Sequence, residues 1–489
     1  MHPLTAIGES RLLLWQRVRE YAVPPPMIES ATARRIAGDW AGACAAAHVD
    51  VDLDLRAIAR AHGRELAAEV RADLRRLAPD LLRWHMPRIA PEGLLRPGLT
   101  ISLASYDSTH GVQLVVRTPP SWADAGQRID LAWWDGARSS DGTCPHPRPD
   151  RRFRLDLHRH LWDAHRAGEL RERAGVGGPP ALWDSNGLVP NGIGCAVDRW
   201  AGEAAILLRS QSRDSDTVMV RLGSRRRLLL HVGDDDILRV TAAGRGGNPA
   251  WPELPDAATW VLPDLALLQS GLIATDRLHP LVAAALVDGH APGRAEAPAH
   301  PPAHDHCPAR SAIGVGYHCE RDIDHAPGCP QGAAHRLAVG DAGGEKVRLV
   351  QCRGAGHRIG LVDGELVALD HDEAEIRREA LLVALGGPPL PCLRVIDETH
   401  RQPECLAEID ARLNHGDFAG ALAAVESLLG RDVLLRGGAL RDALENAADR
   451  RIAHGLYRAG LAGHGPLRLI DDSELSHRPR SSQRHAANH

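Results

Sequence analysis

The chain has 489 residues, of which 44% are apolar and 25% charged, and it carries a net charge of −5 with a pI near 6.6. This length predicts two or three domains, and the acidic balance argues against a general nucleic-acid binder. Lys346 is the sole lysine, which excludes a phosphate-binding Gly-Lys-Ser/Thr loop and a kinase-type lysine. The sequence also lacks a Gly-x-Ser-x-Gly elbow, a His-Glu-x-x-His pair and a Rossmann glycine fingerprint, so we do not expect an enzyme of these common classes.

Targeting signals are not evident in the sequence. No segment approaches the ~20 apolar residues that a membrane span needs, and the first residues show no secretory pattern. The nine cysteines are an odd number without compact disulfide spacing, which favours reduced thiols. We therefore expect a cytoplasmic protein that does not contact membranes.

One phrase occurs twice, as Ala-Arg-x-x-x-Gly-Asp-aromatic-Ala-Gly-Ala, beginning at Ala33 and again at Ala411. In each copy an apolar helical pattern precedes a glycine that favours the left-handed end of a helix, and the next aspartate is suited to cap the following helix. The turn resembles that of tetratricopeptide-like helical hairpins over about 25 residues per copy, without the three or more tandem repeats of a solenoid. We expect two packing hairpins, with a peptide-binding helical groove as the alternative.

The predicted fold is α+β, with two mixed domains, small antiparallel sheets and helical hairpins near both chain ends. Residues 1–95 are expected to form a helical N-terminal segment, and residues 96–290 a mixed α+β domain. Residues 291–334 are rich in Pro, His and Cys and are expected to be a linker or insertion. Residues 335–465 are expected to form a C-terminal α+β domain with the second hairpin, and residues 466–489 a disordered tail.

Hydrophobic periodicity locates individual elements. Period-two alternation predicts strands at residues 99–103, 129–133, 218–222, 228–232, 337–339, 347–349 and 359–361, and a β-branched run predicts one at 112–116. The strands at 218–222 and 228–232 are expected to pair across a Gly223-Ser224 turn. Helical patterns predict helices at residues 153–174 and 256–288, and the spacing Asp372-x-x-Glu375 predicts the capped start of another helix.

The strongest candidate for chemistry is a cysteine and histidine set in and after the linker, comprising Cys307, Cys319, Cys329 and His335. Zinc takes four such ligands, and a segment without its own core gains most from a metal staple, so structural zinc is the cofactor that this set would take. The spacing Cys-x11-Cys-x9-Cys-x5-His is not that of a standard zinc knuckle. Incidental thiols in a mobile insertion are therefore the alternative.

Other chemistry-bearing residues have structural interpretations. Cys352 and His357 stand at Cys-x4-His after the predicted set, and Cys392 is interpreted as a buried thiol. The run Asp50, Asp52 and Asp54 predicts a polar turn with a helix cap. His-x-His fits the spacing of helical metal ligands poorly, so a second group is expected on the exposed face of an arginine-rich helix: His158, His160, Asp163 and His165.

Three further phrases, spread over the chain, resemble a family of uncharacterised proteins from high-GC actinobacteria. They are residues 81–88 (LLRWHMPR), 152–163 (RFRLDLHRHLWD) and 352–359 (CRGAGHRI). The resemblance implies an actinobacterial origin. It implies no particular activity, cofactor or catalytic residue.

The duplicated hairpin and the missing catalytic signatures favour a non-enzymatic protein–protein interaction or scaffold protein, whose protein partner the sequence does not identify. A metal-dependent enzyme that uses the cysteine and histidine set is one alternative. A regulator that contacts nucleic acid through arginine-rich segments is another, although these arginines alternate with apolar residues as on a solvated face.

Overall fold

The computed structural model describes residues 3–107, 111–136, 148–177, 187–189, 194–211, 216–223, 226–232, 238–243, 251–289, 339–342, 345–363, 365–431 and 433–461. In chain order the α-helices of these residues are α1 (Pro3–Tyr21), α2 (Pro25–Ile36), α3 (Trp40–Ala46), α4 (Leu55–His62), α5 (Arg64–Arg76), α6 (Pro79–His85), α7 (Leu170–Arg173), α8 (Trp200–Ser210), α9 (Asp256–Thr259), α10 (Pro263–Gln269), α11 (Pro280–Leu286), α12 (Glu373–Ala384), α13 (Pro391–Arg401), α14 (Leu406–His415), α15 (Phe418–Leu429) and α16 (Ala439–Arg458). The strands are β1 (Val49–Asp52), β2 (Arg88–Ile89), β3 (Leu94–Leu95), β4 (Thr100–Asp107), β5 (Val112–Arg117), β6 (Ile129–Trp134), β7 (Thr217–Leu222), β8 (Arg226–Val232), β9 (Leu238–Ala242), β10 (Val339–Ala342), β11 (Glu345–Cys352), β12 (Ala355–Val362) and β13 (Glu365–Ala368).

The chain divides into two compact units. Unit 1 draws on Met1–Gly293, Gln402–Val425 and Gly437–His489, and unit 2 draws on Arg294–Arg401 and Glu426–Arg436. This division differs from the predicted domain boundaries, because the helical N-terminal segment and the mixed domain share one unit, and most of the second hairpin belongs to it as well.

Arg83 on α6 shows why the second hairpin belongs to unit 1. Its fully buried guanidinium donates to Ala22 O (2.9 Å) just after α1, to His415 O (3.0 Å) at the end of α14, and to Gln127 O. Carbonyls at helix C-termini carry partial negative charge and are suitable partners for a buried cation. Because Arg83 and His415 are 332 positions apart, no local pattern predicts this contact.

The α+β fold class predicted from the sequence is confirmed, with small, mainly antiparallel sheets among helices. The largest sheet of unit 1 has the strand order β1-β6-β5-β4, and its β1–β6 pair is parallel. The predicted strand pair at 218–222 and 228–232 is also confirmed, since β7 and β8 pair Val218 with Leu230 and Val220 with Leu228. Alternation succeeds here because one face of each strand is buried. The core of unit 1 includes Leu74, Leu82, Trp84, Ile101, Leu114, Leu131 and Trp162.

Both copies of the repeated phrase form the predicted hairpin, with α2–α3 in one and α14–α15 in the other. Gly38 and Gly416 both have positive φ, at 81° and 88°. Each following aspartate caps the next helix, with Asp39 accepting from Gly42 N at 2.8 Å and Asp417 accepting from Gly420 N at 2.9 Å. A matching arginine also contacts each aspartate at 3.0 Å: Arg34 in the first copy and Arg412 in the second.

The predicted helix at residues 153–174 is wrong. This segment forms 3-10 turns at Arg159–Leu161 and Ala167–Glu169, followed by the short α7. Three residues expected to be exposed are buried: His158, His160 and Asp163. The side chains of His158 and Asp163 bond the local main chain, His158 Nδ1 at 2.9 Å from Arg154 O and Asp163 Oδ1 accepting from His165 N at 2.9 Å. Such bonds compete with helix formation.

Glu203 of α8 is the long-range partner of this segment. His158 Nε2 lies 3.2 Å from one of its oxygens, and Arg173 donates to both oxygens at 2.7 Å. Burial raises the pKa of Glu203, but the donors of His158 and Arg173 outweigh this effect and hold the pKa at about 2. The buried histidine therefore belongs to a buried network with Glu203 and Arg173 and not to a solvated face.

The predicted helix at 256–288 is divided into α9, α10 and α11. Pro263 and Pro280 each begin one of these helices. A proline suits the first turn of a helix but restricts the residue before it, so each proline separates two helical stretches.

Unit 2 contains the antiparallel sheet β10-β11-β12-β13 together with α12 and α13. Its buried apolar cluster comprises Val350, Cys352, Ile359, Ala368, Leu390, Cys392 and Ile396. This cluster is much smaller than the core of unit 1.

Several predictions lie outside the described residues: the linker at 291–334, the tail at 466–489, and the set Cys307, Cys319, Cys329 and His335. Within the described part of the chain, no helix combines the length and the apolar character needed to cross a bilayer.

Candidate metal centre

Four side chains of unit 2 converge on one point: Cys352, His357, His371 and Cys392. One ligand atom from each lies within 4.8 Å of all the others. They come from four places in the fold, namely the end of β11, the middle of β12, the turn before α12 and the first turn of α13. These four side chains could hold a metal ion.

The β11–β12 hairpin places the first two side chains. Its two-residue turn is Arg353-Gly354, with φ values of 53° and 85°, as in the tight turns that match strand twist. The register pairs Cys352 with Ala355 and Val350 with His357. Since paired residues share a face and side chains alternate, Cys352 and His357 point to the same side of the sheet, towards the buried cluster.

The third side chain, His371, is oriented by Glu375. His371 Nδ1 lies 3.0 Å from Glu375 Oε2. A carboxylate only accepts, so Nδ1 donates, and in the neutral ring this leaves the lone pair on Nε2. Nε2 is buried and has no hydrogen-bond partner among the described residues.

Glu375 is itself held in place. Its backbone N–H donates to Asp372 Oδ1 at 2.6 Å, which confirms the predicted cap of α12. Its carboxylate also accepts from Arg353 Nη1 at 3.2 Å. A carboxylate behind a ligating histidine is the usual outer partner that fixes ring orientation at zinc sites.

The two imidazoles stack, with ring centroids 4.3 Å apart and planes 30° apart. His357 Nδ1 and His371 Nε2 are both buried, and neither has a hydrogen-bond partner among the described residues. Buried polar atoms in native proteins are normally paired. A cation between the rings and the sulfurs would satisfy these nitrogens.

Cys392 has the chemistry of a ligand that needs a cation. Without a bound ion, burial raises the pKa of the Cys392 thiol to about 12, and the neighbouring Cys352 thiol and the charge of Asp370 contribute to this rise. A coordinated divalent ion deprotonates a thiol outright. Metal binding at this site would therefore release protons.

The donor set indicates the class of metal. Two sulfurs and two imidazole nitrogens form a soft, four-donor set that suits zinc and disfavours calcium and magnesium, which take oxygen ligands. Four protein donors complete a tetrahedron, as in structural sites.

The sequence analysis found only part of this centre. It singled out Cys352 and His357 at Cys-x4-His, and it interpreted Cys392 as a buried thiol, which it is. It did not connect His371 with them, because the run Asp370-His371-Asp372 was interpreted through the capping role of Asp372. The full spacing is Cys-x4-His-x13-His-x20-Cys, and a short Cys/His pair flanking a hairpin turn was the available signal.

The other titratable groups singled out from the sequence have structural roles. The polar turn predicted for the aspartate run is wrong, because Asp50 and Asp52 lie in β1, where Asp50 pairs with Arg128 at 2.5 Å. The predicted helix cap is confirmed, because Asp54 caps α4 by accepting from Arg56 N at 2.8 Å. The arginine-rich stretch at 148–173 is largely paired with carboxylates, in Arg152–Asp256 (2.8 Å), Arg154–Asp156 (2.7 Å), Arg166–Glu169 (2.7 Å) and Arg173–Glu203 (2.7 Å). These pairs neutralise much of the charge that a phosphate track would need.

Comparisons of the chain with protein-family models, with curated protein sequences and with solved structures found no match. The geometry of the Cys352, His357, His371 and Cys392 cluster is therefore the basis for a functional proposal.

Proposed function

We propose that this is a zinc-binding protein in which Cys352, His357, His371 and Cys392 hold a structural ion. The observation that carries the proposal is the convergence of four nitrogen and sulfur donors within 4.8 Å. The carboxylate of Glu375 behind His371 supports it further.

A structural role fits the site better than a catalytic one. Catalytic zinc has three protein ligands and an open position for water, whereas this set fills all four positions. The apolar cluster of unit 2 is small, and small cores supply little stability, so a bound structural ion would add much of the stability of this unit. Structural zinc contributes about 10–16 kcal/mol of binding free energy in small domains, which is comparable to the stability of a whole domain.

We further propose that unit 2, with zinc bound, acts as a non-enzymatic interaction module with a protein partner. The support is an exposed apolar group at the end of α12, in which the side chains of Leu381 and Leu385 are 66% and 85% exposed and Leu382 is also exposed. Contiguous exposed apolar side chains commonly mark protein contacts. The described cysteines are all free thiols, so we propose a reducing compartment such as the cytoplasm.

Elemental analysis of protein purified without a His tag tests the metal proposal. We expect about one zinc per chain, lost in His371→Ala and Cys392→Ser and kept in Cys44→Ser, which changes a buried cysteine of unit 1. A Cys307→Ser/Cys319→Ser variant, tested in parallel, shows whether the ligand set predicted from the sequence holds the zinc instead of the cluster in unit 2. Zinc that is absent from the native protein, or that survives His371→Ala and Cys392→Ser, contradicts the proposal.

Cobalt substitution separates the structural proposal from the metal-dependent enzyme. A closed site gives a tetrahedral cobalt spectrum that azide does not change, because no exchangeable position exists. A spectrum that responds to azide would favour a catalytic ion with a solvent ligand.

A further inference from the structure

We propose that Cys352 and Cys392 form a reversible disulfide under oxidation, and that this bond expels the metal and loosens α12. The metal-release part rests on the proposed zinc centre. The cysteine pairing rests on the geometry of unit 2 alone.

The two sulfurs are already neighbours. Both side chains are fully buried, and their sulfurs lie within 4.8 Å of each other. A disulfide brings sulfurs to roughly 2 Å, so the remaining approach is no more than about 3 Å. The other described cysteines, Cys44, Cys195 and Cys405, belong to unit 1.

The chemistry balances with a hydroperoxide as the oxidant. The thiolate of one cysteine attacks a peroxide oxygen, the O–O bond breaks, and the sulfur becomes a sulfenic acid while the leaving oxygen is released as water after protonation. The second thiolate then attacks the sulfenic sulfur, forms the S–S bond and displaces hydroxide, which takes a proton to become the second water. Two electrons pass from the two sulfurs to hydrogen peroxide, and a dithiol reductant reverses the step.

The topology determines which contacts survive this oxidation. Cys352 ends β11 and Cys392 lies in the first turn of α13, so the disulfide keeps that strand and helix joined. His357 and His371 lose the ion that they share with the cysteines, because two donors hold zinc far less tightly than four. His371 immediately precedes the capping Asp372, so the start of α12 loses one of its ties to the β11–β12 hairpin. The ion pairs of Arg353 with Glu375 (3.2 Å) and of Arg358 with Asp370 (2.7 Å) remain, which limits the change to a loosening of the helix.

The switch therefore acts on the helix that carries the exposed apolar group. Leu381, Leu382 and Leu385 lie at or just beyond the far end of α12. Oxidation would change how firmly this helix is held while the link between β11 and α13 is preserved. The proposed regulation is thus a change in α12 and not unfolding of the whole unit.

The test uses the full-length, zinc-loaded chain treated with stoichiometric hydrogen peroxide. A chromophoric chelator reports zinc release, and peptide mapping by mass spectrometry reports the crosslink. We expect one zinc released for each Cys352–Cys392 disulfide, with both changes reversed by dithiothreitol and added zinc. Cys44→Ser should behave as the native chain, and hydrogen exchange should increase in α12 more than in α13.

Two results would overturn the inference: zinc that stays bound while peroxide is consumed, or release that maps to sulfinic acids or to other cysteine pairs. The zinc content measured before oxidation tests the proposed function separately. Mapping of chelator-treated native protein tests the cysteine pair even if Cys352→Ser or Cys392→Ser fails to fold. A metal-poor protein that still forms this disulfide would contradict the zinc proposal and support the pairing.

Discussion

The two equivalent glycines of the repeated hairpin allow a matched test of the fold. Gly38 and Gly416 both have left-handed φ, so alanine at either position carries the same backbone penalty of about 1–2 kcal/mol. A Cβ on Gly38 would meet no described atom within 4 Å. A Cβ on Gly416 would lie 2.7 Å from the carbonyl carbon of Gly126, 2.9 Å from its Cα, and closer still to its oxygen.

The contact at Gly416 is with backbone that has little room to move. Gly126 and Gln127 both have positive φ, and the guanidinium of Arg83 donates to the Gln127 carbonyl. Overpacking of this kind costs about 1–3 kcal/mol beyond the backbone penalty. We therefore expect Gly38→Ala to destabilise unit 1 by about 1–2 kcal/mol and Gly416→Ala by about 2–5 kcal/mol.

Urea unfolding followed by circular dichroism measures the difference through the unfolding midpoint of unit 1. Gly38→Ala is the matched control, because it repeats the backbone strain without the contact. Equal midpoint shifts for the two variants would refute the placement of the second hairpin against the Gly126 turn.

Two further predictions concern buried charges in unit 1. Arg83→Met leaves three buried carbonyls without the guanidinium donor, so we expect the free energy of unfolding to fall by at least about 3 kcal/mol, measured by urea unfolding. Arg60→Met, at an exposed position, is the control, and an equal loss in both variants would contradict the bridging role of Arg83. Glu203 has a pKa lowered to about 2 from its ordinary value of 4.5, so its stabilising effect is fully present above pH 4.5 and is lost as the pH falls towards 2. In Glu203→Gln the unfolding midpoint should therefore fall less steeply between those pH values, and an unchanged slope would show that the carboxylate is not paired in the folded state.

Features set by neighbouring residues were predictable from the sequence. The turn at Gly416-Asp417 requires a left-handed residue and a cap, and both signals stand side by side. The β7–β8 pair follows from alternation that is interrupted by a glycine turn.

Features set by distant partners were not predictable in this way. The local sequence predicts an exposed His158, because its buried partner Glu203 is distant in the sequence. The second hairpin belongs to unit 1 because Arg83 reaches His415, and periodicity carries no information on that contact. At the metal centre Cys352 and His357 are local neighbours, but the pairing of β12 with β13 and the packing of α13 are needed to add His371 and Cys392.

X-ray absorption at the zinc edge of the native, tag-free protein tests the central claim most directly. The proposed centre predicts two sulfur neighbours at about 2.3 Å and two nitrogen neighbours at about 2.0–2.1 Å, with no solvent oxygen. Absence of zinc, or a shell of nitrogen and oxygen without sulfur, would contradict a zinc ion held by Cys352, His357, His371 and Cys392.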